Sequence, residues 1–370
     1  MSTLKVEICR IEKIELHPFA DKLEICKLEN LDWFCIIPKN EFKISELALY
    51  IPIDSILPEE LENKIFGKDS KIKLEKRRVR SIKLRKVISQ GLVVKPETVG
   101  IFDYKEGDDF KEFLGITKYE PVEKLPNIYG TCHKIKKRYI NSNFHKYTDI
   151  SNIKNYPQVF KEGEQVNITC KLHGSSLRLG WVLNEPHTIW EKIKKFFGLL
   201  DKWIFLVGSR NIQLTYKNKN KVFYDHNIYT KIAEEYNLKD KLKEGEILFG
   251  EIIGHSIQKN YSYGCKEGET KFYAYDIMKD GKWLNPEDFF ILCYMRGIPT
   301  VPYLYSGPFS KEVVEQHTQG PSVLSPNEQP IREGCIIKAN PERINPYCGR
   351  TCLKSINPEY LLLKDNSDFH

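Results

Sequence analysis

A lysine, a histidine and a glycine stand close together in the segment Lys171-Leu172-His173-Gly174. The run before them, residues 165–169, alternates apolar and polar side chains, which predicts a β-strand that leads into a tight turn. A lysine attacks only when it is neutral, and its ordinary pKa is about 10.4. Burial, a neighbouring cation or a bound metal lowers that pKa. The motif alone is more typical of a surface lysine before a turn. Other residues must therefore show whether Lys171 is a nucleophile.

Each of five later segments, all predicted strands, carries a charged or aromatic side chain that such a site needs. They are residues 203–211 with Arg210, 246–254 with Glu251, 271–277 with Tyr275, 331–338 with Glu333 and Lys338, and 350–355 with Lys354. Taken singly each pattern is weak, because a glutamate in an apolar strand is more often paired and an aromatic strand is more often core. The order of these segments is what is improbable by chance.

Length and composition favour a soluble protein of two domains. The chain has 370 residues, of which 41% are hydrophobic and 29% charged. Lysine and arginine total 57 against 50 acidic residues, so the net charge of +7 is compatible with a polyanionic partner. We find no amino-terminal apolar leader and no apolar run long enough to span a bilayer. We therefore expect an intracellular protein, cytoplasmic or nuclear, without a membrane partner.

Spacing argues against several common kinds of site. The ten cysteines include no Cys-x-x-Cys, and the closest pair, Cys348 and Cys352, has no further ligands around it that would complete a zinc set. We expect reduced, buried thiols. The chain also lacks the glycine-rich P-loop and dinucleotide-binding motifs. A bound nucleotide is therefore held in another way.

Residues 1–118 predict many short strands and few helices, which favours a small β-barrel. Residues 4–14, 23–28 and 47–53 read as strands, and residues 80–94 read as two strands joined by a turn at Gly91. Basic side chains crowd one region of this part. They are Lys71, Lys73, Lys76, Arg77, Arg78, Arg80, Lys83, Arg85 and Lys86. They form either a groove for phosphates or a solvated basic loop.

Two further segments lie outside these motifs. Residues 119–145 contain Pro121, Pro126 and a basic run at residues 134–138, which indicates an interdomain connection. Residues 189–200 have the apolar spacing of a helix, with lysines opposite, and interrupt two strands as an insertion. We expect an ordinary packed helix there, with a partner-facing or membrane-facing helix as the alternative.

The ordered series of motifs resembles the covalent nucleotidyltransferase superfamily, which includes ATP-dependent DNA and RNA ligases and mRNA capping enzymes. His173 stands where DNA ligases and capping enzymes usually carry aspartate, and in this it looks like RNA ligases. Residues 17–23 are similar to the start of tRNA-binding OB-folds. Residues 78–94 resemble the amino-terminal OB module of the nick-sealing RNA ligase branch.

This resemblance implies an α+β fold. We expect an OB-fold β-barrel for nucleic acid at residues 1–118 and a linker at 119–145. An adenylyltransferase domain with ATP-grasp-like antiparallel sheets and flanking helices would follow at 146–370. The implied cofactors are ATP and Mg²⁺ or Mn²⁺. The implied partner is RNA with 5′-phosphate and 3′-OH ends, in particular a nicked duplex, and the protein is expected to be a monomer.

The resemblance also implies roles for individual residues. Lys171 would be the nucleophile that carries AMP, with Lys354 and Lys338 at the α-phosphate and Glu333 at the metal. The remaining nucleotide-binding set comprises Glu251 at the ribose, Arg210 at the ribose or a phosphate, Tyr275 stacked on adenine with Phe272 or Tyr273 as alternatives, and Thr169 and Arg178 on the flanking strands. Many RNA ligases have Lys-x-Lys in the last motif, but here Cys352 takes the first position and Arg350 is a doubtful substitute. Cys170 is expected to pack.

The leading hypothesis is an ATP-dependent RNA ligase that forms a lysyl-AMP enzyme and an adenylylated RNA 5′ end. One alternative is a catalytically inactive RNA-binding or tRNA-binding protein, which the segment at residues 17–23 favours. Others are a GTP-dependent capping guanylyltransferase and a DNA ligase. Both are disfavoured by His173, and the capping enzyme also by an OB module that precedes the lysine.

Overall fold

The computed structural model describes residues 4–68, 73–119, 140–214, 228–255, 257–258, 261–329 and 331–363. Its strands are β1 Glu7–Leu16, β2 Leu23–Leu28, β3 Phe34–Pro38, β4 Leu47–Ile51, β5 Ser55–Ile56, β6 Ser81–Leu84, β7 Val87–Gln90, β8 Leu92–Val94, β9 Thr117–Lys118, β10 Gln165–Lys171, β11 Ser175–Leu183, β12 Trp203–Ser209, β13 Gln213–Leu214, β14 Glu246–Gly254, β15 Thr270–Lys279, β16 Lys282–Trp283, β17 Tyr303–Pro308, β18 Gly334–Ala339, β19 Ile344–Asn345, β20 Gly349–Arg350 and β21 Cys352–Ile356. Its α-helices are α1 Glu59–Phe66, α2 Ile189–Phe196, α3 Ile228–Glu235, α4 Leu238–Lys241, α5 Pro286–Met295, α6 Lys311–Thr318 and α7 Pro358–Leu362.

The amino-terminal part is a nearly closed antiparallel barrel, as the alternating strands predicted. Five strands form one sheet in the order β3-β2-β1-β4-β8. Strand β3 then approaches β7, where the Ile36 amide donates to Ser89 Oγ at 2.9 Å and Cys35 Sγ donates to the Gln90 carbonyl at 3.3 Å. Curling the sheet in this way covers its apolar face without a second layer.

The turn between β6 and β7 lies at Arg85 and Lys86 rather than at the predicted Gly91. Both turn residues have positive φ, 45° and 74°, which matches the twist of a two-residue hairpin. Gly91 instead joins β7 to β8 with φ 108°, and a Cβ there would meet the ring of Tyr50 at 2.5 Å. The glycine is needed for a bend in the barrel wall.

The carboxy-terminal part contains two antiparallel sheets with helices against them, which confirms the predicted fold class. One has the strand order β17-β10-β18-β21, and the other has β13-β12-β11-β14-β15-β16. Helix α6 packs on the first sheet through Val314, in a core that includes Ile337. Helices α3 and α5 pack on the second through Ile232 and Phe289. Each sheet therefore buries one face against helices and keeps the other for further contacts.

The barrel and the carboxy-terminal part share one hydrophobic core. Trp33 and Tyr50 of the barrel belong to the same buried cluster as Cys170 and Tyr360. The indole Nε1 of Trp33 donates to Asn155 Oδ1 at 2.6 Å, which ties strand β3 to the segment before β10. Cys170 is packed, as expected, and the two parts are joined by a buried apolar interface.

Helix α2 confirms the predicted helix but not its predicted packing. Thr188 caps it in a reciprocal hydrogen-bond arrangement with Glu191, and none of its residues is buried. The expectation of an ordinary packed helix was therefore wrong. The amphipathic pattern predicted the helix correctly, but it could not predict whether another part of the chain packs against its apolar face. In the described ranges, no helix has the length and apolar character needed to cross a membrane.

Most of the predicted linker, including Pro121, Pro126 and residues 134–138, lies outside the described residues, as does Lys71. The described end of that segment contacts the second sheet. Phe144 is buried in a small core with Phe249.

We expect Trp33→Ala to lower the free energy of unfolding by about 3–5 kcal/mol, because it empties a buried site in the shared core and removes the hydrogen bond to Asn155. Urea unfolding measures this. The matched control is Phe102→Ala, since Phe102 is 80% exposed on the same barrel and its loss should cost less than about 0.5 kcal/mol. Equal effects of the two substitutions would contradict a shared core.

Candidate active site

Lys171 lies at the joint between the two sheets. It is the last residue of β10 in one sheet, and only three residues separate it from Ser175, the first residue of β11 in the other. Its Nζ donates to Glu333 Oε1 at 2.7 Å, and the Glu333 side chain is completely buried. The pairing of Lys171 with Gly334 brings the two charges together, because Glu333 immediately precedes that glycine. A lysine that is paired with a carboxylate and has a side chain only 11% exposed is not an ordinary surface lysine.

Three further predicted residues share one face of the first sheet with Lys171. Thr169 pairs with Ile336, which pairs with Lys354, and Lys338 lies two residues further along the middle strand. Side chains at cross-strand partners and at every second position point to the same side. Lys354 and Lys338 are both buried. The register therefore places both lysines on the face of the sheet that carries Lys171.

The second sheet contributes Glu251 and two tyrosines. Glu251 pairs with Ser176 on one side and Tyr273 on the other, so these three residues share a face. The register then slips between Phe249 and Gly250, which leaves Tyr275 as an extra, bulged residue. Its hydroxyl lies 3.0 Å from Ser176 Oγ, on the same side as Glu251.

Phe272, one of the two alternatives for stacking on adenine, lies on the opposite face of this sheet. It is buried in the core beneath the sheet, with its ring 5.9 Å from that of Tyr236. Strand alternation therefore leaves Tyr273 and Tyr275 as the aromatic side chains of β15 that share the face of Glu251.

Gly174 is required by a close approach of two backbones. A Cβ at this position would collide with the carbonyl oxygen of Ile252 and lie 2.9 Å from Glu251 Cγ. The glycine of the motif thus lets β11 start directly beside β14. Any larger residue would push apart the strands that carry Ser176 and Glu251.

His173 is held by tyrosines that the sequence analysis missed. Tyr360 Oη lies 3.0 Å from His173 Nδ1, the Tyr263 hydroxyl accepts the His173 amide at 2.7 Å, and the Tyr261 ring stands edge-on at 5.0 Å. Burial lowers the pKa of the imidazole, which favours its neutral form. These tyrosines come from segments remote in sequence, and no motif signalled them.

Lys338 and Arg350 both form ion pairs with Asp276. Lys338 Nζ and Arg350 Nη1 each lie 2.7 Å from Asp276 Oδ2, and Arg350 also pairs with Glu342 at 2.7 Å. Burial alone would raise the pKa of Asp276, but the two cations hold it below its usual range. The guanidinium proposed as a stand-in for a phosphate-binding lysine is thus engaged by two carboxylates.

The two remaining arginines of the predicted set have different surroundings. Arg178 is buried, and its guanidinium donates to the carbonyls of Phe144 at 2.6 Å and Ser209 at 3.0 Å. Burial lowers its pKa to about 10. Arg210 is partly exposed and pairs with Asp149. Arg178 therefore ties backbone segments together, whereas Arg210 lies where solvent reaches it.

The basic region of the barrel is not a single cluster. Arg78 is buried and pairs with Asp54 at 2.6 Å, and Arg80 donates to the Leu363 carbonyl at 2.8 Å. Lys83, Arg85 and Lys86 are exposed around the β6–β7 turn. Lys73, Lys76 and Arg77 are also exposed, in the segment before β6. Positive charge is therefore offered to a partner at two places in the predicted groove.

Burial raises the pKa of Glu251 to about 8; the charge of Lys171 opposes this shift and that of Glu333 adds to it. Between about pH 4.5 and 8 the carboxyl keeps its proton in the folded protein but not in the unfolded chain, so stability falls as pH rises. We compare the free energy of unfolding of Glu251→Gln with that of the parent. Above this pH window, the difference should favour the variant by at least about 1 kcal/mol more than it does below the window.

Urea unfolding at a series of pH values measures this difference. Glu267→Gln is the control, because Glu267 is exposed and its substitution should give a difference that changes little with pH. A Glu251→Gln difference that is equally flat across the window would show that Glu251 is not desolvated.

Comparison with known proteins covers almost the whole chain. Residues 164–356 match the family model described as RNA ligase, and residues 5–96 match an OB-fold domain model. The chain is similar to Naegleria gruberi RNA ligase variants solved with ATP and Mn (25% identity, TM-score 0.71) and with AMP and Mn (25%, 0.72). Each comparison covers 97% of this chain and 98% of the other. No curated protein was found to match. Because the RNA ligase model spans more than half of the 370 residues, the chain belongs to the RNA ligase family.

Proposed function

We propose that this protein is an ATP-dependent RNA ligase that joins 3′-OH and 5′-phosphate ends through AMP bound covalently to Lys171. The observation that carries the proposal is the 2.7 Å contact between Lys171 Nζ and the buried Glu333, at the joint of two sheets. Similarity to chains solved with ATP and Mn, and with AMP and Mn, supports the choice of nucleotide.

In the first step, Lys171 Nζ attacks the α-phosphorus of ATP. The N–P bond forms, the bond from that phosphorus to the pyrophosphate oxygen breaks, and Nζ loses a proton. The hydrogen bond to Glu333 offers a route for this proton and holds the amine in place. Lys354, on the same face, would offset charge on the phosphate oxygens, which is the main electrostatic demand of phosphoryl transfer.

The second sheet would hold the nucleoside. Tyr275, or Tyr273 beside it, offers a ring for adenine, and Glu251 offers a carboxyl for the ribose hydroxyls. Arg210 is partly exposed, lies near Glu251 and would contact the ribose or a phosphate. Thr169, Lys338 and Arg178 complete the proposed set. The hydrogen bonds of Arg178 to the Phe144 carbonyl and of Lys338 to Asp276 suit a role in shaping the site.

Glu333 is the carboxylate that would hold a divalent Mg²⁺ or Mn²⁺. In the part of the chain that the structure describes, no group of three or more His, Cys, Asp or Glu side chains could hold a metal. One carboxylate agrees with the usual way Mg²⁺ is bound, with phosphate and water oxygens as the other ligands. When bound, the metal would neutralise phosphate charge and favour the neutral amine of Lys171.

After adenylylation, the AMP would pass to an RNA 5′-phosphate, and the 3′-OH would then attack that phosphate and release AMP. The exposed basic hairpin of Lys83, Arg85 and Lys86 supports RNA binding by the barrel. We assign the OB module to residues 1–118, the linker to 119–145 and the adenylyltransferase domain to 146–370. A nick in a duplex is the preferred substrate, and a monomer suffices because one chain carries every proposed side chain.

We expect the protein, incubated with α-³²P-ATP and Mg²⁺, to retain label on a denaturing gel, and Lys171→Ala to retain none. The label should be acid-labile, as expected of an N–P bond, and chaseable onto a nicked duplex with a 5′-phosphate. Lys279→Ala is the control, because Lys279 is exposed at the end of β15 and its loss should leave labelling intact.

Each other result points to a different activity. Labelling by α-³²P-GTP instead would identify a capping guanylyltransferase. Labelling by neither nucleotide, with RNA binding intact, would leave an inactive RNA-binding protein. Label retained by Lys171→Ala would rule out Lys171 as the nucleophile.

A second prediction concerns Glu333. We expect Glu333→Gln, which keeps the shape of the side chain but removes its charge, to slow adenylylation about 10²-fold or more and to raise the metal concentration at half-maximal rate. The measurement is the initial rate of label transfer across a Mg²⁺ titration. Glu267→Gln is the exposed control. A slower rate with an unchanged metal titration would argue against a metal role for Glu333.

A further inference from the structure

Helix α2 and the turn after it expose an unusually large apolar surface. Trp190 is 72% exposed, Phe196 85% and Leu199 74%, and Ile189 and Phe197 are also exposed. No residue of the helix is buried. Single exposed apolar residues are ordinary, but a contiguous group of large ones marks an interaction surface.

The apolar residues lie on one side of the helix. At about 100° per residue, Ile189, Ile193 and Phe196 form a stripe that Trp190 widens to about 120°. Lys192 and Lys194 fall on the two opposite edges of this stripe. Long lysine side chains at both edges can reach past an apolar surface to negative groups on either side.

The charge of the helix is positive. The helix carries one carboxylate, Glu191, and three lysines, Lys192, Lys194 and Lys195. That carboxylate accepts hydrogen bonds from the amides of His187 and Thr188, so it is already used in the cap. Beyond the helix Asp201 is balanced by Lys202. A partner that complements the helix is therefore apolar in its centre and negative at its edges.

The helix is remote from the proposed active site. It leaves the second sheet where Leu183 pairs with Trp203, and the Asn184 amide donates to the Lys202 carbonyl at 2.9 Å. Lys171 lies beyond the other end of β11, roughly 26 Å away along the strand. A surface bound at α2 would not need to cover the nucleotide side chains.

We propose that helix α2 docks the protein reversibly on an anionic lipid surface. Its stripe of Trp190, Ile193 and Phe196 inserts at the boundary between head groups and acyl chains, and Lys192 and Lys194 contact the anionic head groups on either side. Short helices with Trp and Phe on one face and lysines at its edges have this property. Such docking needs no membrane-spanning segment. It takes up the membrane-facing alternative for residues 189–200 and departs from the expectation of no membrane partner.

The test is co-sedimentation of the full-length protein with vesicles of phosphatidylcholine alone or mixed with phosphatidylserine. We expect binding to the mixed vesicles that weakens as salt is raised and is much weaker without phosphatidylserine. Replacing two exposed aromatic residues, Trp190→Ser with Phe196→Ser, should weaken binding at least about tenfold. Lys192→Gln with Lys194→Gln should reduce only the part that depends on phosphatidylserine.

The matched control is Tyr294→Ser with Met295→Ser on α5, where the side chains are 89% and 77% exposed. It removes a similar exposed apolar area and should leave vesicle binding unchanged. ATP-dependent labelling by all variants checks that they are folded. No sedimentation with mixed vesicles, or equal loss in both double variants, would overturn the proposal. Self-association that only the α2 double variant abolishes would also overturn it, by identifying the face as an interface between copies.

Discussion

Three residues carry the chain from one sheet into the other, and the geometry of the site depends on that short connection. Lys171 ends β10, and β11 begins at Ser175. At the end of this connection, Gly174 lets β11 begin directly beside β14, because a Cβ there would collide with the carbonyl oxygen of Ile252. The lysine is thus fixed on one sheet while the carboxylate of Glu251 faces it from the other.

Charges around this joint are buried, and their pairing determines their protonation. Asp276 is kept ionised by Lys338 and Arg350, because two nearby cations outweigh the cost of its burial. The pKa of Glu251 shifts in the opposite direction, because burial raises it to about 8. Two cations thus compensate the burial of Asp276, whereas the burial of Glu251 is only partly compensated. A carboxyl whose pKa is perturbed by burial is a candidate for contact with a ligand.

The barrel and the sheets depend on one another through a common core. Within the part of the chain that the structure describes, helix α2 contributes no buried residue to a core. Trp33 and Tyr360 lie in the shared cluster, so the barrel is held against the elements that carry Lys171. The stripe of α2 has the same apolar character but stays in solvent. Burial therefore explains the position of the barrel, whereas the exposed stripe of α2 is the basis of the docking surface proposed above.

By itself, the sequence determined the family, the barrel followed by two sheets, the strand that ends in Lys171 and the strand that follows Glu333. Motif spacing and period-two alternation are local properties, which is why a sequence can reveal them. It did not determine which partner each charge takes. The pairing of Arg350 with Asp276, the tyrosines around His173 and the exposure of α2 were decided only by the tertiary structure. The physical reason is that pairing and burial depend on contacts between residues far apart in the chain, which no local pattern records.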